Sequence, residues 1–180
     1  MQTEVIISGF GGQGTLYAGQ VLAYAAMDEG KQVTWIPSYG PEMRGGTANC
    51  TVVISDEEIG SPTVKYPKAV LALNLPSLDK YEDMIAPGGC LVVNESMVNR
   101  KPTRTDIRVV ILPANEIARE IGNERATNMV MLGALLANMD ILPIKALEKA
   151  LKNHTAQRLQ KFVEMNIQAL RRGAEYRANL

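Results

Sequence analysis

Apolar positions along this chain follow two different spacings, one for each half. In the first part they cluster in short β-branched runs, at Glu4–Ser8, Gln32–Ile36, Thr47–Ser55, Ala69–Leu73, Cys90–Asn94 and Val109–Leu112, each of which predicts a strand. Between them, Leu16–Met27 is rich in alanine, leucine and valine and predicts a buried crossover helix, with Gly30 at its end; Ser77–Ile85 predicts another. Pro37 is expected to stop the second strand, and Pro87-Gly88-Gly89 to turn the chain into the fifth. The stretch Thr47–Gly60, with its reversal at Ser55–Gly60, hints at an antiparallel element. The last third has helical spacing. Ala126–Met139 is apolar almost all round, with Gly133, Ala134 and Ala137 allowing close approach, and is assigned to the core rather than to a subunit contact. Pro143 suits the first position of the next helix, which carries Ile144, Leu147 and Leu151 on its inner stripe. A final helix runs from about Ala156 to near Gly173. Strands alternating with helices predict an α/β fold: three layers, a mostly parallel doubly wound sheet and a helical C-terminal third. The 180 residues suit one domain, with the helical portion covering about 115–180.

Composition narrows the function classes. Nineteen basic residues balance nineteen acidic ones, so no positive excess marks a nucleic-acid or membrane partner. No apolar run reaches the roughly 18 residues of a membrane span, and Met1–Phe10 lacks the basic and apolar regions of a signal peptide. A cytoplasmic location is expected. Cys50 and Cys90 lie far apart without a C-x-x-C pairing, and read as buried thiols in or beside strands. An iron–sulfur cluster takes about four thiolates, so any redox cofactor is carried by another chain.

Gly9-Phe10-Gly11-Gly12-Gln13-Gly14 matches G-x-G-x-x-G directly after a predicted strand and before a predicted helix. Bare glycines there let backbone amides approach an anion, aided by the helix dipole. The same pattern also serves as a tight turn that binds nothing. A dinucleotide unit would need an acid at the end of the second strand, where this chain has Ile36-Pro37-Ser38. Asp28 and Glu29 precede that strand, and no arginine stands at its end.

A second loop, Ser38–Gly46, frames Tyr39, Glu42, Met43 and Arg44 with glycine and proline. Glu42 and Arg44 are either a weak surface pair or groups presented to a partner or an anionic ligand, and the concentration of special residues favours presentation. His154, the sole histidine, falls near a helix end and suits an exposed or capping role. No nucleophile, metal-binding or paired-carboxylate frame is present, so no catalytic residue is assigned.

GFGGQG from Gly9, followed by PSYGPEMRGGTANC from Pro37, resembles the gamma subunit, or gamma domain, of 2-oxoacid:ferredoxin oxidoreductases. Ser61-Pro62, Asn74 before Pro76-Ser77, NMVMLGAL from Asn128, and EMNIQAL from Glu164 followed by Gly173 extend the resemblance over the chain. It implies a subunit of an enzyme that converts a 2-oxoacid and coenzyme A to an acyl-CoA and carbon dioxide, reducing ferredoxin. It also implies that thiamine diphosphate, magnesium and the iron–sulfur clusters sit on alpha-, beta- and delta-type partners, that coenzyme A approaches this chain, and that the setting is anaerobic metabolism. EMRGGTANC looks closest to the 2-oxoglutarate type, then the 2-oxoisovalerate type, then the pyruvate type. In this frame Gly11, Gly12, Gln13 and Gly14 are expected as backbone anion contacts and Tyr39 and Arg44 as ligand-facing side chains. Glu42 and Met43 are expected to face a partner. The isolated chain is expected to be inactive, and surfaces meant for missing partners could pair it as a homodimer.

Overall fold

The computed structural model describes residues 1–40 and 46–178. Strands β1 (Gln2–Phe10), β2 (Gln32–Tyr39), β3 (Thr47–Ser55), β4 (Ala69–Ala72), β5 (Cys90–Asn94) and β6 (Arg108–Leu112) form one sheet in the order β2-β3-β1-β4-β5-β6. β1, β4, β5 and β6 are mutually parallel, while β3 lies antiparallel between β2 and β1. Only β3 therefore runs against the rest, and the antiparallel hint in Thr47–Gly60 is found there. The mostly parallel α/β sheet follows the expectation, and its helices are α1 (Thr15–Asp28), α2 (Leu75–Tyr81), α3 (Ala114–Glu120), α4 (Thr127–Asn138), α5 (Ile144–His154) and α6 (Val163–Gly173).

Alternation along each strand divides the core into two layers. Val5, Ile7, Leu71, Val92 and Leu112 face a large core beneath α1 and α4, with α5 and α6 packed outside them. Ile6, Val70, Leu91 and Val93 face a smaller core closed by Leu78 and Tyr81 of α2 and by Ile85 and Val98. α4 is buried from Thr127 to Leu136, as its all-round apolarity requires. Cys50 and Cys90 are buried in β3 and β5, and burial pushes their thiols up to about 12 and about 11.

Four boundaries depart from the expectation. β2 continues through Pro37 to Tyr39, because it is an edge strand and the missing amide leaves no interior ladder bond unmade. The helix expected at Ser77–Ile85 is α2 followed by a 3₁₀ turn at Glu82–Met84. Pro143 is the extended residue that precedes α5, not its first helical residue. The last helix is split into a 3₁₀ segment, Gln157–Phe162, and α6. At the end of α1, Gly30 adopts φ 75°, and the amides of Gly30 and Lys31 donate to Met27 and Ala26, closing the helix as expected.

Candidate functional site at the glycine turn

The turn from Phe10 to Thr15 lies at the carboxyl edge of the sheet, between β1 and α1. Gly12 has φ 98° and Gly14, which precedes α1, has φ 75°, a left-handed region where an L side chain is strained. The amide of Gly11 donates to the Gly46 carbonyl at 2.9 Å, and that of Gln13 to the Phe10 carbonyl at 3.1 Å. The amides of Gly12 and Gly14 donate to none of the described residues. No acidic side chain and no side-chain cap occupies the first turn of α1, so its positive end stays open.

The neighbouring parallel strands β1 and β4 send their chains to opposite faces, β1 to α1 on one and β4 to α2 on the other. Open α/β sheets place ligands at such a crevice. Here the Gln13 side chain fills it: Oε1 accepts from the Phe10 amide at 2.6 Å and from Asn74 Nδ2 at 3.3 Å, while Nε2 approaches the Leu73 carbonyl at 3.5 Å. Amides continue along the edge. Asn74 caps α2 through the Ser77 amide, and Asn94 Nδ2 donates to the Leu73 carbonyl and to Asn115 Oδ1, which also accepts from Thr127. Asn128 Nδ2 donates to the Gly14 carbonyl at 2.9 Å, tying the turn to α4 across 114 residues of sequence. Replacing Gln13 with alanine is expected to cost about 1–2 kcal/mol, the order of a buried hydrogen-bonding group left without its partner. Chemical denaturation measures that loss, and faster hydrogen exchange at the Phe10 amide would locate it.

Of the other sequence-derived residues, Tyr39 falls on the same edge. Tyr39 ends β2, is 72% exposed, and stands opposite Ala48, which in turn stands opposite Gly9. Two strand spacings put it about 10 Å from the glycine turn. Glu42, Met43 and Arg44 lie outside the described residues; the two ends of their loop are joined to the sheet edge by Gly40 donating to Thr47 and by Gly46 accepting from Gly11. His154 lies away from this edge, bonded to the Asp28 carboxylate at 3.0 Å and stacked on Tyr24.

Two clefts open beside Gly12. One, of about 200 Å³, runs past Gln13 to Asn115, Arg119, Glu124 and Thr127. The other, of about 230 Å³, runs past Gly14 and Tyr17 to Arg125, Asn128, Phe162 and Asn166. Sequence reasoning missed these walls because most of them come from α3, α4, α6 and the 3₁₀ turns beside them, more than a hundred residues from Gly12. The available signal was asparagine directly after an apolar run, as at Asn74 and Asn94, which marks where a strand ends in polar chemistry. The topology also bears on dinucleotides. β3 separates β2 from β1, so the end of the second strand does not stand beside the glycine turn as the ribose-binding position of a dinucleotide unit does. Among the described residues no helix is long and apolar enough to cross a membrane, and no cluster of side chains is suited to hold a metal ion.

Residues 4–176 match the family described as pyruvate ferredoxin/flavodoxin oxidoreductase. Ketoisovalerate oxidoreductase subunit VorA of Methanothermobacter thermautotrophicus is 43% identical over 176 residues, which cover 97% of this chain and 36% of that protein. The chain thus spans about a third of the length of that relative. 2-Oxoglutarate synthase subunit KorC of Methanocaldococcus jannaschii is 38% identical over 178 residues, covering 97% of this chain and 94% of that one. The crystal structure of the gamma subunit of a keto/oxoacid ferredoxin oxidoreductase from Geobacter sulfurreducens has a TM-score of 0.84 at 33% identity, covering 97% of this chain and 95% of that one. With its sheet, its glycine turn and its helical third all inside the matched span, the chain belongs to the pyruvate ferredoxin/flavodoxin oxidoreductase family.

Proposed function

We propose that this chain is the gamma-type component of a 2-oxoacid:ferredoxin oxidoreductase, and that the glycine turn meets coenzyme A. In this reading the assembly decarboxylates a 2-oxoacid oxidatively, forms an acyl-CoA and passes two electrons to ferredoxin. Alpha-, beta- and delta-type subunits carry thiamine diphosphate, magnesium and the iron–sulfur clusters, and the assembly works in the cytoplasm. The 180 residues act as one domain. The observation that carries the reading is the pairing of a family match along nearly the whole chain with a site made of amides: it suits positioning of a phosphate and offers no group for carbanion or electron chemistry. Gly12 and Gly14 supply the anion contacts, within a turn held in shape by Gly11 and Gln13. Tyr39 and Arg44 approach the ligand from the second loop, and Glu42 and Met43 face a partner subunit.

2-Oxoglutarate is the substrate suggested by EMRGGTANC, while relatives of both the 2-oxoglutarate and the ketoisovalerate type match over nearly the whole chain. The test is to purify the native complex through a tag on this chain and to assay dye reduction without oxygen. Activity dependent on coenzyme A is expected, fastest with 2-oxoglutarate among 2-oxoglutarate, 2-oxoisovalerate and pyruvate. A chain recovered without partners and without activity on any of the three would overturn the reading.

One observation favours a second reading, a scaffold subunit with no ligand of its own. The Gln13 side chain and the amides of Gly11 and Gln13 are already engaged inside the protein. Replacing Arg44 with alanine separates the two: a raised KM for coenzyme A with normal assembly marks a ligand role, and lost assembly alone marks the scaffold.

A further inference from the structure

A groove of about 210 Å³ lies between α1, the end of α5 and the 3₁₀ segment that follows, and no residue of the glycine turn lines it. Tyr17, Val21 and Tyr24, at helical spacing on α1, form one wall; Ala150, Ala156 and Leu159 form much of the other. Polar groups in these walls are already engaged with the protein. Tyr17 Oη and Thr155 Oγ1 are 3.3 Å apart, and His154 Nε2 lies 3.0 Å from the Asp28 carboxylate. The His154 ring also stacks on Tyr24, with centroids 4.4 Å apart. What the groove offers is apolar surface of fixed shape, and Tyr24 and Leu159 stand exposed at its rim. Charge is the independent feature. No acidic residue occurs between Glu148 and Glu164, whereas Lys149, Lys152, Arg158 and Lys161 fall in that stretch and are all exposed. The ion pairs of this region, Asp28 with His154 and Glu148 with Arg171, engage none of the four. The chain as a whole is neutral, so this is a local excess of positive charge beside an apolar groove. Complementarity then defines the partner: an apolar anchor set among carboxylates.

We propose that this groove docks an acidic segment of another protein. An apolar side chain of that segment seats between Tyr24 and Leu159, and its carboxylates pair with Lys152, Arg158 and Lys161. The proposal rests on the preceding functional reading only in taking that protein from the same assembly.

The test joins lysines directly to carboxylates. A carbodiimide is added to the native complex purified through a tag on this chain, and the linked peptides are read by mass spectrometry. Links from Lys152 and Lys161 to aspartates or glutamates of one partner subunit are expected, with an apolar residue close to the linked carboxylate. The double variant Arg158→Glu with Lys161→Glu changes only exposed side chains, so the free chain should melt with the wild type. In the complex it should retain about tenfold less of that partner, the scale of a like-charge clash at an interface. High salt, which screens exposed charge, should narrow that difference, whereas the weaker retention expected of Leu159→Ala should persist. Links confined to this chain or to a second copy of it would overturn the proposal, as would a double variant that holds its partner as the wild type does. Binding of the free chain to phosphatidylserine vesicles, lost in the double variant and with no links to a partner, would also overturn it by assigning the cations to a lipid surface. Activity on a 2-oxoacid without these links would overturn the groove alone. Links to a partner in a complex inactive on every 2-oxoacid would support the groove and overturn only the functional reading.

Discussion

Alanine at Gly133 is expected to lower stability by about 3 kcal/mol, although alanine favours a helix more than glycine does. An alanine Cβ there would lie 2.0 Å from the Leu170 carbonyl oxygen and 2.8 Å from its carbon. The obstacle is backbone, so no rotamer change relieves it. Gly173 makes the reciprocal contact: its Cβ would lie 1.9 Å from the Val130 carbonyl oxygen. α4 and α6 therefore touch main chain to main chain, and any Cβ must push them apart. Separation opens the contacts of Val130, Leu135, Ile167 and Leu170, all in the large core. The propensity gain of about 1 kcal/mol is outweighed by that loss, since overpacking alone costs about 1–3 kcal/mol and occasionally more. For a chain of this size a loss of about 3 kcal/mol lowers Tm by roughly 6–12 °C. Gly173→Ala should match it. Both substitutions force one separation, so the double variant should cost clearly less than the two losses added together. A thermal melt of the three variants checks this, and strict additivity would mean that the glycines act separately.

Glu82→Ala is expected to cost about 2–3 kcal/mol, and to remove part of the acid sensitivity of the wild type. Glu82 is 3% exposed, in the turn after α2. Burial alone would raise its carboxyl. Against that, the Thr103 amide, the Arg100 guanidinium, the Arg104 amide and the Thr103 hydroxyl all donate to it, and together they hold it below the usual glutamate value. The carboxylate thereby gathers the connection that leads from β5 to β6 and seats Val98 on the smaller core. Deleting one member of a buried pair is worth about 3–5 kcal/mol, and the partly exposed Arg100 brings the figure down here. The sign of the pH effect follows from the lowered value. Stability from Glu82 is fully present above the unfolded glutamate pKa of about 4.3, and it is lost as pH falls through the lower folded value. The gap between wild type and variant should therefore be wide at pH 7 and narrow under strong acid. Urea denaturation at the two extremes measures it; a constant gap would assign the effect to packing.

Much of the fold was legible because periodicity reports burial directly. The runs at Thr47–Ser55 and Cys90–Asn94 coincide with β3 and β5 to the residue, and the all-round apolarity of α4 marked it as buried. Pro37 was misread because a proline's effect depends on whether its strand is central or at an edge, and sequence does not say which. The glycine turn was legible as a turn at a strand–helix junction, since G-x-G-x-x-G in that context has local geometric causes. Gln13 was a different matter. Its backbone is read in the sequence as an anion contact, and nothing local indicates that its side chain binds Phe10, Asn74 and the end of β4.

The sequence by itself determined the class of fold, the strand and helix set, the absence of a local catalytic frame in the residues, and the resemblance that led to the family. These depend on spacing and residue type over short stretches, where hydrophobic period and turn chemistry act directly. Tertiary structure decided the rest. Only strand order could insert β3 between β1 and β2 and so remove the ribose position of a dinucleotide site. Only packing could bring Asn128 to Gly14 and place Gly133 against Leu170. The difference in charge between the clefts likewise depends on Glu124 and Arg125, neighbours in sequence, lining opposite sides of one turn. Contacts over such separations are set by which faces bury one another, and that is a property of the whole folded chain.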